Sequence, residues 1–270
     1  MTSDMDLQLG GKRVLVSGST AGIGFAIAAA LVREGAHVTI NGRSEARVAA
    51  ALEALRSARG ARESEPRGVA ADLGTAEGCE LLLRILPDVD VLVNNLGIFE
   101  AKPFGEISDG DWRRFFEVNV LSGVRLSRAY LPGMLARNWG RILFVSSESA
   151  LQVPVEMIQY GVTKTAQLAL SRGLAEMTVG TAVTVNSILP GPTKSEGVAA
   201  FVSGLAAQQS KSAADVERDF FRSARPSSLL QRFETPEEIA ALAAFLASPQ
   251  SSGVNGAALR VDGGVVRTIS

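Results

Sequence analysis

The chain has 270 residues, 46% of them hydrophobic and 20% charged, with a formal net charge of −1. That is apolar material enough for a sizeable core, and the near-neutral balance argues against nucleic acid or a membrane surface as the main partner. One cysteine, Cys79, and one histidine, His37, exclude a disulfide framework, a multi-cysteine metal site and a Ser-His-Asp triad, so no metal is expected.

The opening MTSDMDLQLG lacks the basic and apolar regions of a signal peptide. The apolar run at 25–32 is too short to span a bilayer. A cytoplasmic protein is expected. Strand-like and helix-like patterns then alternate along the chain. Short apolar strands are read at 13–16, 37–40, 68–71, 89–93, 141–145, 182–186 and 257–261. Helices are read at 23–34, 44–59 (Ser44 as N-cap), 76–86, 111–137, 160–177 and 236–246.

Apolar strands without alternation, each followed by a helix, imply a parallel sheet covered on both faces. With right-handed crossovers this is a doubly wound, Rossmann-type α/β fold. No linker or repeat interrupts it, so residues 1–270 read as one domain. The stretch 194–225 breaks the rhythm. Val198, Phe201, Val202 and Leu205 fall on one helical face, and Val216, Phe220 and Phe221 on another. A helical excursion just past a strand end suits a lid over a site.

Ser17-Gly18-Ser19-Thr20-Ala21-Gly22-Ile23-Gly24 lies where the first strand turns into the first helix. Gly18 allows a tight turn, Gly22 lets backbone approach a phosphate, and Gly24 lets the helix pack close to the sheet. The helix N-terminus supplies free N–H groups for a pyrophosphate. After the second strand come Asn41-Gly42-Arg43, with no carboxylate to bind ribose hydroxyls and a guanidinium to pair with a 2′-phosphate. NADP(H) is therefore preferred over NAD(H). Asp72, after the third strand, is placed to accept a hydrogen bond from an adenine amino group.

The strand at 141–145 runs into Ser146-Ser147, and a polar loop leads to Tyr160 with Lys164 four residues on. On a helix, that spacing stacks phenol and ammonium on one face. With two tyrosines and one histidine in the chain, few other groups could shuttle a proton near neutral pH. Tyr130 lies inside the long helix and reads as core or interface.

Together these pieces resemble the short-chain dehydrogenase/reductase family in its single-domain form, and the C-terminal half is similar to 3-oxoacyl-acyl-carrier-protein reductases. The family's TGxxxGIG reads SGSTAGIG here, NNAG reads Asn94-Asn95-Leu96-Gly97, and YxxxK reads Tyr160 to Lys164. Ala21 stands where many NADP(H) members carry a basic residue. The resemblance implies catalytic roles for Asn119, Ser147 (rather than Ser146), Tyr160 and Lys164. It implies cofactor contacts from Gly18, Ser19, Thr20, Gly22, Ile23, Gly24, Arg43, Asp72, Leu73, Asn95, Gly97, Tyr160, Lys164, Pro190, Gly191 and Thr193. It also implies hydride transfer between NADP(H) and a small carbonyl or alcohol, such as a 3-oxoacyl thioester or ketone, in a homotetramer built through the helices at 111–137 and 160–177 and the last strand.

In that scheme Tyr160 gives a proton to the developing alkoxide, Ser147 binds the same oxygen, and Asn119 holds a water that relays protons. Bringing a phenol of pKa ~10 near neutrality takes about 4 kcal/mol. One positive charge at ~4 Å in an effective dielectric of ~20 supplies about that much. Lys164 is the expected source. Phe99, Glu100, Glu148, Val153, Met157 and the lid are expected to shape an apolar pocket with one or two carboxylates. Arg113, Arg114, Arg125 and Arg128 are candidates for a patch that greets an acyl-carrier protein. The alternative is a nucleotide-binding regulatory or scaffold protein of the same fold without turnover.

Overall fold

The computed structural model describes residues 6–58, 64–195, 198, 203–204, 206 and 211–269. The strands are β1 (Arg13–Val16), β2 (His37–Gly42), β3 (Arg67–Ala70), β4 (Val91–Asn94), β5 (Gly140–Val145), β6 (Val183–Pro190) and β7 (Ala258–Val261). They form one parallel sheet of seven strands in the order β3-β2-β1-β4-β5-β6-β7. The order reverses between β1 and β4, and a crevice opens at the carboxyl ends of such a pair.

Both faces of the sheet are buried, and the side-chain period of two sorts residues between them. Val14, Val16, Val91, Val93, Leu143 and Val145 face α1 (Gly22–Arg33) and α8 (Pro236–Ala247), against Ile27, Leu31, Ile239 and Leu246. Leu15, Leu92, Ile142 and Phe144 face the other way, against Leu126, Tyr130 and Met134. The remaining helices are α2 (Glu45–Ala58), α3 (Ala76–Ile85), α4 (Asp109–Phe116), α5 (Ser122–Ala136), α6 (Ile158–Glu176) and α7 (Ala213–Ser223). Among the described residues no helix is long and apolar enough to cross a membrane.

Two readings change here. The continuous helix expected at 111–137 is α4 and α5 joined by a π turn over Glu117–Leu121. A π turn adds a residue to the helical ladder and is a frequent marker of functional sites; Asn119 sits inside it. In the lid, Phe201, Val202 and Leu205 lie outside the described residues. Val216, Phe220 and Phe221 of α7 do share an apolar cluster, which also takes in Phe233, with ring centroids 5.1–5.2 Å apart.

Candidate active site

At the end of β1 the glycine loop is fastened to its neighbours by side-chain amides. Asn95 Nδ2 donates to the carbonyls of Ser17 and Gly18 at 3.0 and 2.9 Å. Asn41 accepts from Gly18 N at 3.2 Å and donates to the carbonyls of Val69 and Ala71. Gly18 has φ +59°, a left-handed turn that glycine adopts freely. A methyl on Gly24 would fall 2.4 Å from Asn95 Nδ2, so this glycine makes room for the fastening amide. Asn95 thus holds the cradle in place.

A cleft of about 240 Å³ lies over this loop, lined by Gly18, Thr20, Ala21, Asn41, Gly42, Arg43, Ser44, Arg47, Ala71, Leu73 and Leu96. Arg43 is joined by Arg47, one helical turn on in α2, and neither has an acidic partner among the described residues. Two uncommitted guanidiniums beside a backbone cradle fit a phosphorylated nucleotide. Asp72 is not among the lining residues; its carboxylate accepts from Gly74 N in a tight turn. Leu96 packs over Gly18.

Across the switch point, β5 ends in two serines with different partners. Ser146 Oγ donates to the carbonyl of Lys164 at 2.9 Å, which fixes α6 to the strand. Ser147 continues in extended backbone and caps the short turn Glu148–Ala150, accepting from Ser149 N at 3.1 Å. Its hydroxyl is the one that acts on the Tyr160 phenol. Tyr160 is in the first turn of α6, and the Phe99 ring stands edge-on to it at 6.4 Å between centroids. Lys164 Nζ donates to the carbonyl of Val145 at 2.8 Å and lies 5.6 Å from the centre of the Tyr160 ring.

Asn119 is buried in the π turn. Its Oδ1 accepts from Ile98 N at 2.7 Å, and its Nδ2 donates to the Ile98 carbonyl and to Thr163 Oγ1, both at 3.0 Å. Gln167 Nε2 donates to its main-chain carbonyl. A methyl on Gly97 would come 3.4 Å from Lys164 Nζ and 3.6 Å from Asn119 Oδ1, so all three meet at one point. Gly191, at the end of β6, donates to the Val261 carbonyl and to Glu234 Oε2; Thr193 Oγ1 donates back to the Gly191 carbonyl. Pro190 closes β6 beside them.

The sequence model of the family described as Enoyl-(Acyl carrier protein) reductase matches residues 18–266. The oxidoreductase YvaG of Bacillus subtilis (strain 168), described as uncharacterized, is 49% identical over 265 residues, 98% of this chain and 100% of its own length. The chain belongs to the short-chain dehydrogenase/reductase family. The 3-oxoacyl-[acyl-carrier-protein] reductase FabG of Aquifex aeolicus is 31% identical over 265 residues, 97% of this chain and 100% of its own. L-sorbose reductase from Gluconobacter frateurii, solved with NADPH and L-sorbose, superposes with a TM-score of 0.91 at 30% identity, covering 98% of this chain and 100% of that one.

In this short-chain dehydrogenase/reductase the electrostatics around Tyr160 differ from the expectation. Burial raises the phenol, the Ser147 hydroxyl lowers it, the Glu148 carboxylate raises it and the Arg225 guanidinium lowers it. Lys164 is itself brought down by burial to about 7, so near neutrality it is only partly charged. Arg225, from just beyond α7, is the guanidinium that acts on the phenol, as the smallest of these four influences. Its Nε donates to Glu148 Oε1 at 3.1 Å, and Glu148 Oε2 accepts from Ser147 Oγ at 2.5 Å. The partnership with Arg225 has no signal in local spacing.

Thr163 and Gln167, which hold Asn119, were legible in principle: they lie three and seven residues after Tyr160, on one helical face. Arg47 follows Arg43 at the same i, i+4 spacing. Of the arginines proposed for an acyl-carrier surface, Arg113, Arg114 and Arg125 each face a carboxylate, of Asp109, Glu100 and Glu117. Glu100 is thereby drawn to the outside, while Glu148 remains at the site.

Proposed function

We infer that this oxidoreductase uses NADP(H) and interconverts a small carbonyl compound and its alcohol, with Asn119, Ser147, Tyr160 and Lys164 as its working set. The observation that carries the reading is that Lys164 and Asn119 meet at Gly97, the residue after Leu96 of the cleft that holds Arg43 and Arg47, with Tyr160 one turn before Lys164 and Ser147 acting on its phenol. NADP(H) is supported by those two unpaired guanidiniums and by NADPH in the L-sorbose reductase structure. Gly18, Ser19, Thr20, Gly22, Ile23 and Gly24 would cradle the pyrophosphate. Leu73, Gly97, Pro190, Gly191 and Thr193 would flank the rest of the nucleotide. When bound, the nicotinamide supplies or accepts the hydride.

The chain's own residues handle the proton. Burial keeps the Tyr160 phenol protonated at neutral pH, ready to give its proton to an alkoxide oxygen as negative charge develops there. Ser147 turns its O–H to the same oxygen as the charge grows. Lys164, poised near neutrality, returns a proton to Tyr160 and is held in place by Val145. Asn119, locked by Ile98, Thr163 and Gln167, keeps the π turn open beside it.

A cytoplasmic location and a homotetramer belong to the same reading. The free, buried Cys79 suits a reducing compartment, and exposed apolar side chains such as Val162 and Met177 on or beside α6 suit a subunit contact. Gel filtration at a monomer mass would contradict the tetramer.

The function is tested by following NADPH oxidation against acyl thioesters, ketoses and simple ketones. Tyr160→Phe is expected to bind NADPH within about threefold of the parent while kcat falls by ~10³-fold, the scale of a lost general acid. No turnover of any carbonyl with NADPH bound, and Tyr160→Phe binding identically, would favour the scaffold alternative, whereas equal turnover in parent and variant would remove Tyr160 from the working set.

A further inference from the structure

Glu148 and Arg225 form a buried ion pair at the catalytic serine, joining segments 77 residues apart. Their side chains are 6% and 10% exposed. Both carboxylate oxygens of Glu148 have a donor: Oε1 takes Arg225 Nε, and Oε2 takes the Ser147 hydroxyl at 2.5 Å. Ser147 Oγ in turn accepts from Ser149 N, so its single proton is the one given to Glu148.

This arrangement conflicts with the task assigned to Ser147. To bind a carbonyl oxygen, the serine must turn its only O–H away from Glu148. Oε2 is then left without a donor in a buried residue. Stranding a buried acceptor costs about 1–3 kcal/mol, more for a charged group. A substrate that carries its own O–H at that spot removes the penalty.

Resting on the hydride-transfer reading above, we propose that Glu148, braced by Arg225, is a specificity residue that accepts a hydrogen bond from a substrate hydroxyl on the carbon next to the reacting carbonyl. The substrate is then a neutral α-hydroxy carbonyl compound, and its reduced form a vicinal diol. Ser147 Oγ and Glu148 Oε2 are 2.5 Å apart. Side by side, they engage substrate oxygens that are near neighbours. A carbonyl and a hydroxyl on adjacent carbons meet that demand. Charge narrows the class further. Arg225 stands against Glu156 at 3.5 Å as well as Glu148, so its single positive charge already faces two carboxylates. An anionic keto acid or phosphate ester would add a third negative group.

The test uses the full chain with NADPH and matched ketones that differ only in OH against CH3: 1-hydroxy-2-propanone with 2-butanone, and 2-hydroxycyclohexanone with 2-methylcyclohexanone. The parent protein is expected to favour the hydroxyl member in kcat/KM by ~10²-fold or more, as sites built to pair a hydroxyl do. Glu148→Leu is expected to bring that ratio within about tenfold, chiefly by losing the hydroxy ketone. Equal kcat/KM within each pair for the parent protein overturns the proposal and leaves hydride transfer standing, and this arm does not depend on the variant folding. A Glu148→Leu protein that slows both members alike, with the ratio intact, also overturns it and makes Glu148 a structural brace. No turnover of any carbonyl with NADPH bound removes the oxidoreductase reading itself and the proposal with it.

Discussion

On the cofactor side of the cleft, polar side chains are committed to backbone. Asn95 fastens Ser17 and Gly18, Asn41 ties the same loop to β3, and Ser19 Oγ donates to the Val16 carbonyl. Arg43 and Arg47 line this side with no acidic partner among the described residues. On the substrate side, charged side chains are matched to each other: Glu148 with Arg225, Glu100 with Arg114, Lys102 with Asp111. A frame of amides keeps one shape and offers unspent charge to a ligand of fixed charge. A ring of internal ion pairs offers little net charge and selects by where its hydrogen bonds point.

The largest effect is expected at Arg43 and Arg47. If their charge is unspent, the double variant Arg43→Ala, Arg47→Ala loses two charge-assisted contacts worth about 1.5–3 kcal/mol each. NADPH affinity should then fall on the order of 10³-fold, while NADH affinity moves by less than about threefold. Fluorescence titration of both nucleotides measures this. An equal loss for the two would mean that the arginines shape the cleft without reading a phosphate.

The same contrast explains what the sequence discloses. Glycines, Asn95 and the strand ends act locally, within one turn and the next strand, so their order along the chain is enough to place them. The seven strands fall within a few residues of the apolar runs that predict them. The π turn at Asn119 escapes because α4 and α5 are each amphipathic by themselves, and one inserted residue leaves both patterns intact. The pairing of Glu148 with Arg225 escapes because it is made only when the segment after α7 folds back onto the serine loop. Spacing points to Lys164 as the cation for Tyr160, while burial brings Lys164 down to about 7 and the Val145 carbonyl holds it. An i, i+4 pair shares a helix face, and the dielectric around that face decides which charge acts.

Glu234, beside the Gly191 turn that would flank the nucleotide, is a carboxylate without a cationic partner among the ion pairs of the described residues. It is buried, accepts from Gly191 N at 3.0 Å, and is raised by burial to about 7 from 4.5. In the folded protein it binds a proton between those values, whereas the unfolded chain does not. Stability from this group is therefore present below about pH 4.5 and lost as pH rises to about 7. Glu234→Gln keeps an acceptor for Gly191 and removes the titration. Its stability relative to the parent should rise between pH 5 and pH 8 by on the order of 2–3 kcal/mol in denaturant unfolding. A constant difference across that range would show that Glu234 is already ionised at pH 5.

The smallest effect is expected at Arg114, and its size matters because the pair with Glu100 borders the same loop as Phe99. Arg114 Nη2 lies 2.5 Å from Glu100 Oε2, yet the two side chains are 50% and 45% exposed. Water solvates both partners without the contact, and side-chain entropy opposes it, so exposed pairs contribute about 0–1 kcal/mol. The loop has a second fastening that does not need the charge: Gln159 Nε2 donates to the Glu100 carbonyl at 2.8 Å from inside α6. Arg114→Ala should therefore shift unfolding free energy by less than about 1 kcal/mol, and by less again at 0.5 M salt, which weakens solvent-exposed pairs. Ketone turnover should stay within about twofold of the parent, since loop position and not surface charge presents Phe99 to Tyr160. A loss of ~2 kcal/mol or of turnover would make the exposed pair part of the site's frame, and the division between spent and unspent charge would then run along the loop instead of across the cleft.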